Sequence, residues 1–286
     1  MIGRFSAGIF LGAAVAALSL TQGGAQAAGK PAAPAAAPPA NASPAAGCAS
    51  TKALTVVEEK WQGTGVRKSQ DRFTLTGKNG FYFTSGMTID ADGSPRAFHP
   101  NRKKGLDDSA HAGHPGNWWG IMTDNGDTDG KPLIQGPNDP APGYYISTTG
   151  LQDTTKEEND PRRYADAEKV PYVVLSGTAE QNFNAVMGDY AVVYNKANRK
   201  ISLGMYGDEW PTLKVGEASV AVAKELGINA DAREGGVESS TVVYLVFPNS
   251  RTTPWTAAEP IDQIRAEAQK HFEAWGGLAQ LQACVQ

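Results

Sequence analysis

The sequence predicts a mainly β protein: a small closed barrel with minor helix and a C-terminal helix packed on it. Three observations carry this expectation. Short runs rich in β-branched and aromatic residues recur at 172–175, 190–194, 200–206 and 241–247, separated by Gly, Asn and Asp turns. Between the last two, the stretch 217–226 changes to helical period and is stopped by Gly227. Near the end of the chain, Ile261, Ile264, Ala268, Phe272 and Trp275 form an apolar stripe at helical spacing, closed by Gly276 and Gly277.

Taken from the start, residues 1–27 read as a secretory signal. Arg4 supplies the positive region, and Ile9 to Leu20 is apolar but short for a membrane span. Ala25-Gln26-Ala27 is a small-residue cleavage site. The mature protein is therefore expected to be secreted, extracellular or periplasmic, with no membrane attachment, and monomeric. Residues 28–47 are rich in Ala and Pro and predict a disordered linker. Residues 48–286 are expected to form a single domain. With 41% hydrophobic and 20% charged residues in a 286-residue chain, there is enough material for one sizeable core.

Cys48 and Cys284 stand at the two ends of that domain. In an exported protein such a pair favours a disulfide, and the spacing excludes a cysteine-based zinc site. The net charge is −4 and the isoelectric point about 5.6. Generic nucleic-acid binding needs a basic footprint and is excluded on that ground. A cationic polymer is permitted as partner.

The domain opens with Leu54, Val56, Val57 and Trp61 as a first strand. Residues 71–83 alternate around Gly77-Lys78-Asn79-Gly80 and predict a hairpin. Met87 to Gly93 ends in an Asp-Gly turn that carries Asp90 and Asp92. The stretch from His99 to Tyr145 is long, polar and lacks periodicity, which reads as functional loops or a surface excursion. It holds His99, His111 and His114 with Asp107 and Asp108, and then Asp124, Asp127 and Asp129. Their spacing matches neither a helical histidine pair nor a calcium loop, so no metal and no cofactor is expected. Within it, Trp118-Trp119 and Tyr144-Tyr145 offer aromatic faces for sugar rings. One member of each pair, Trp119 and Tyr145, is assigned to substrate and the other to packing. For the C-terminal helix, Thr256 with Glu259 fits a capping box and Pro260 an early helical position.

The chemistry concentrates in 201–227. A strand with Ile201, Leu203 and Met205 on alternate positions is expected to break at Gly207-Asp208 and turn through Pro211. The helix is expected to begin at Glu217. A strand end and a helix start would then each bring one carboxylate, Asp208 and Glu217, to one cleft. Two such groups suit glycoside hydrolysis, where one carboxylic acid protonates the leaving oxygen and the other activates water or attacks carbon. Spacing alone is equally satisfied by a turn aspartate and a glutamate at a helix N-terminus.

The stretch resembles the signature of the fungal-type chitosanases of glycoside hydrolase family 75. That signature runs Gly-Asp-Thr-Gly-Pro, a spacer, then Ile-Gly-Glu-Ala-Ser. Here it reads Gly207-Asp208-Glu209-Trp210-Pro211 and Val215-Gly216-Glu217-Ala218-Ser219. The blocks 86–93, 171–175, 188–193 and 235–248 extend the likeness in consistent order. Glu209-Trp210 departs from the Thr-Gly of the pattern, and Thr88 stands where the first of three aspartates belongs. The strand, the Asp-x-x-Pro turn and the helix ending Leu-Gly also resemble the late half of a double-psi β-barrel.

The resemblance implies a catalytic domain that hydrolyses chitosan endo-wise with inversion. Asp208 and Glu217 would form the catalytic pair, with Asp90 and Asp92 binding the sugar; Trp119, Tyr145 and Trp210 are assigned to the sugar as aromatic faces, apart from the resemblance. Glu217 is expected as general acid and Asp208 as base. A helix N-terminus would stabilise Glu217 as the anion, so the two roles can be exchanged. The alternative is a polysaccharide- or peptidoglycan-binding or lytic barrel without chitosanase activity, in which Asp208 would act alone.

Overall fold

The computed structural model describes residues 55–56, 71–72, 74–76, 80–210 and 215–285. The expected signal segment, the linker, Cys48, the Trp61 end of the first strand and the turn at Pro211 lie outside the described residues.

The strands are β1 (Thr55–Val56), β2 (Asp71–Arg72), β3 (Thr74–Thr76), β4 (Gly80–Asp90), β5 (Gly113–His114) and β6 (Asn117–Trp118). They continue with β7 (Tyr172–Ser176), β8 (Tyr190–Asn195), β9 (Lys200–Trp210), β10 (Glu217–Ser219) and β11 (Val237–Val246). The helices are α1 (Gly177–Phe183), α2 (Val220–Leu226), α3 (Ile261–Trp275) and α4 (Gly277–Cys284). β10, β7, β9, β8, β11 and β4 follow one another in a sheet that closes on itself, because β10 also pairs with β4. The result is a mainly β, six-stranded closed barrel. Closure removes the free edges that an open sheet of this size would present. Two pairings are parallel, β7 with β9 and β10 with β4, and the others within the barrel are antiparallel. β3 extends the sheet by pairing antiparallel with β4, as the hairpin predicted at 77–80 requires, and the turn residues 77–79 lie outside the described residues.

β7, β8 and β10 are buried at every residue, as is the second half of β11, so these runs read as continuously enclosed rather than cleanly alternating. Phe81, Phe83, Tyr172, Tyr206, Tyr244 and Leu245 are fully enclosed, and Phe83 stacks on Tyr244 at 4.8 Å. Each such side chain contributes about 1.5–3 kcal/mol of transfer free energy. α3 lies across β8 and β9 and inserts Ile264, Ala268, Phe272 and Trp275, the predicted stripe. A second, smaller cluster, Ala91, Ala97, Phe98, Ala112 and Ile121, holds the irregular 99–145 region against the end of β4. Among the described residues no helix is long and apolar enough to cross a membrane.

Three local expectations are corrected. β9 does not break at Gly207-Asp208 but runs on to Trp210. Glu217 is not the start of a helix. It lies in the short strand β10, and α2 begins three residues later with Ser219 as its cap, the hydroxyl accepting from the Val222 N–H. At α3 the capping box does not form, because Pro260 precedes the helix with no side-chain cap and Glu259 turns away to pair with Arg251.

Candidate active site

β7 lies between β9 and β10, and the register across all three sets the site. Val174 of β7 is the partner of Asp208 on one side and of Glu217 on the other. Glu217 is in turn the partner of Thr88 on β4. Thr88, Glu217, Val174 and Asp208 thus form one row across four strands, and all four line a single cavity of about 240 Å³.

Asp208 reaches this row through a bulge. The pairing of β7 with β9 steps from Val173–Tyr206 to Val174–Asp208, so Gly207 is the extra residue. Without it, Asp208 would fall on the opposite face, since side chains alternate along a strand. Glycine is required there, because a Cβ at 207 would stand 2.5 Å from Tyr172. Glu217 is set by a comparable device. Gly216 has φ +87°, and its carbonyl accepts from the Thr88 N–H at 2.8 Å. A Cβ at 216 would lie 2.4 Å from Ser85 Oγ.

Asp90 closes β4 and Asp92 follows in the turn; both line the same cavity. The Asp92 N–H donates to Asp90 Oδ1 at 2.7 Å, and the buried Tyr172 hydroxyl donates to the Asp92 carbonyl at 3.0 Å. One oxygen from each of Asp90, Asp92 and Asp208 lies within 4.8 Å of the others, an all-carboxylate donor set that a hard cation or an ammonium could meet. Burial holds Asp90 well above the usual carboxylate range, with the charges of Asp208 and Glu217 adding to it and the Asp92 N–H opposing. Burial also raises Asp92, followed by the charge of Asp90. Burial is the chief cause that pushes Asp208 up to about 7. The N–H groups of Gly150 and Glu209, which donate to Oδ1 at 2.9 and 2.8 Å, oppose it, and the charge of Glu217 adds to the rise. Three carboxylates this close cannot all ionise independently, so the cluster retains protons that a bound cation would displace.

Of the aromatic residues assigned to sugar, Trp119 lines the cavity with 42% of its surface exposed, and its indole N–H donates to the His111 carbonyl at 3.2 Å. Trp118 packs instead on the second core cluster. Tyr145 is not brought to the cavity: it packs on that same cluster, 6.2 Å from the Trp118 ring. Trp210 lines the cavity and directs its indole N–H to Glu217 Oε2. Thr88, which replaces an aspartate of the resembled pattern, contributes a hydroxyl in the row beside Glu217.

Three lining residues were not singled out as site residues from the sequence. Asp107 and His111 pair at 2.9 Å, and Arg233 donates through Nη2 to the carbonyls of Arg102, Gly105 and Asp107. The i, i+4 spacing of Asp107 and His111 was a readable signal for their pairing. Nothing in the sequence places Arg233 beside a loop so far upstream.

No curated protein is similar to the chain at a significant level. A family model for the fungal chitosanases of glycosyl hydrolase group 75 matches residues 118–277, more than half of the chain and a span that includes both Asp208 and Glu217. With an ordered set of signature blocks, a closed barrel and two carboxylates in register across one cavity, the chain belongs to the fungal chitosanase family, glycosyl hydrolase group 75, and is a glycoside hydrolase.

Proposed function

We propose that the protein is a secreted endo-chitosanase that cleaves β-1,4 bonds between glucosamine units with inversion at the anomeric carbon. The observation that carries this reading is the row in which Asp208 and Glu217 flank Val174, with Asp90 and Asp92 beside them. Two strand steps separate the backbones of the pair by about 10 Å. Carboxyls reaching inward from that distance leave room for a water between them, as an inverting glycosidase needs at about 6.5–9.5 Å. The extra carboxylates suit a polymer that carries an ammonium on each unit.

The structure favours the exchange of roles that the sequence left open. Asp208, raised to about 7 chiefly by burial, keeps a proton to give to the leaving oxygen and acts as general acid. Glu217 accepts the Trp210 N–H and acts as the base that takes a proton from the attacking water. A bound ammonium near Asp90 and Asp92 compensates their charge and fixes the sugar relative to the pair.

Purified protein incubated with chitosan, chitin and peptidoglycan tests the reading. Soluble oligosaccharides of mixed length should appear from chitosan, and proton NMR of fresh product should show α reducing ends first. Release from peptidoglycan alone would overturn the proposal in favour of a cell-wall lytic barrel. An initial β signal would overturn inversion.

Export goes with the proposed removal of residues 1–27 and with a disulfide between Cys48 and Cys284. Cys284 ends α4, where its carbonyl accepts from the Tyr82 hydroxyl at 3.2 Å and so ties the chain end to β4. A bridge closing so long a loop stabilises by roughly 4 kcal/mol or more in the chain-entropy model. Intact-mass measurement of non-reduced exported protein after thiol alkylation is expected to show neither cysteine modified. Two alkylated cysteines would refute the bridge.

A further inference from the structure

We propose that Trp210 is a positioning residue for the base: its indole N–H holds Glu217 as an oriented carboxylate. This rests on the reading of Glu217 as the group that deprotonates water. Trp210 is the last residue of β9, two positions after Asp208 and so on the same side of the strand. Its ring packs against the barrel core, which fixes the direction of the N–H, and that N–H meets Glu217 Oε2. Glu217 is only 8% exposed, so water competes little for this oxygen.

An indole N–H can donate and cannot accept. It therefore fixes the direction of one carboxylate oxygen, and a hydrogen bond to a charged acceptor is stronger than one between neutral groups. The surroundings make this donor matter. Asp90 and Asp92 at the end of β4, and Asp208 and Glu209 on β9, line the cavity with Glu217 and place negative charge on that side. The Asp107–His111 pair and Arg233 face the cavity from the loops, and Nη2 of Arg233 is directed at three backbone carbonyls. Trp210 is thus a fixed donor within a largely acidic wall. It stands at one of the two positions where this chain departs from the Gly-Asp-Thr-Gly-Pro pattern, and a glycine there would offer no such donor.

Trp210→Phe keeps the ring and removes only the N–H. On chitosan we expect kcat to fall about tenfold while KM changes by less than about twofold. A residue that serves only as a sugar platform would behave otherwise. Phe would preserve kcat, Trp210→Ala would raise KM, and that pattern overturns the proposal. A second measurement needs no substrate and no folded Trp210 variant. The indole N–H resonance of Trp210 in a ¹H–¹⁵N spectrum should shift upfield in Glu217→Gln, where the acceptor loses its charge. If this resonance does not respond while chitosan is cleaved normally by the parent protein, Trp210 does not hold Glu217. If it responds but the parent cleaves no chitosan, the failure lies with the proposed function.

Discussion

Asp208→Asn and Glu217→Gln are each expected to lower kcat on chitosan by about a hundred- to ten-thousandfold, with fold and polymer binding retained. Both changes preserve shape and one hydrogen-bond acceptor while removing the acid–base function. In Asp208→Asn the amide oxygen can still accept from the Gly150 and Glu209 N–H groups, and in Glu217→Gln it can still accept from Trp210. Under the proposed mechanism the two carboxyls act on one transition state, so the double variant should be little worse than either single one. Near-native turnover in one variant would remove that residue from the pair.

The same aspartate fixes a pH dependence. As acid, Asp208 must carry its proton, so kcat/KM should fall with a midpoint near the value of about 7 at which it ionises. Stability moves in the same direction. The folded protein holds the Asp208 proton more tightly than the unfolded chain, whose ordinary value is 3.8. Between about pH 4 and about pH 7 the folded state therefore binds more protons, and stability falls as pH rises through that window. Asp208→Asn has no proton to lose, so its melting temperature should exceed that of the parent at pH 8 and converge with it near pH 4. A parent that is as stable as the variant at pH 8 would mean that Asp208 ionises without penalty, and the assignment as acid would go with it. Stability sacrificed at a reacting group is a recurrent feature of catalytic sites.

The second large effect lies away from the cavity. Arg251 and Glu259 form an ion pair whose side chains are 6% and 9% exposed. Arg251 Nε also donates to the Thr253 carbonyl at 2.8 Å, and its guanidinium lies over the Tyr190 ring at 5.7 Å. This pair fastens the segment before α3 to the start of β8. Glu259→Ala strands a buried guanidinium without its counter-charge, which costs about 3–5 kcal/mol. For a domain of this size that corresponds to a drop of about 10 °C in melting temperature. Replacing both partners, as Arg251→Met with Glu259→Leu, should recover most of the loss, since the penalty comes from the orphaned charge and not from the absent pair. Turnover per folded molecule should be unaffected. A loss below about 1 kcal/mol in the single variant would show that water reaches the site and screens the cation.

The sequence by itself determined the β class, the barrel strands β7, β8, β9 and β11, the antiparallel pairing of β3 with β4 and the apolar stripe of α3. These depend on periodicity and turn chemistry, which act over a few residues and are visible in any window of the chain. It also supplied the identities Asp208 and Glu217, because their types and the glycines beside them stand in a short continuous signature. Only the tertiary structure decided how those residues meet. The bulge at Gly207 leaves no periodic trace, yet it turns Asp208 onto the face shared with Glu217. Glu217 continued an apparent helical period but was claimed by β4 and β7, whose ladder bonds outweigh the weak propensity of three residues. Tyr145 and Trp119 had equal standing as aromatic residues in an irregular loop. Packing turned Tyr145 against the small second cluster and left Trp119 at the cavity. The raised value of Asp208 is likewise a product of enclosure by segments distant in the chain. A carboxylate has no fixed acidity in a sequence; it acquires one from the dielectric and the charges that the fold brings around it.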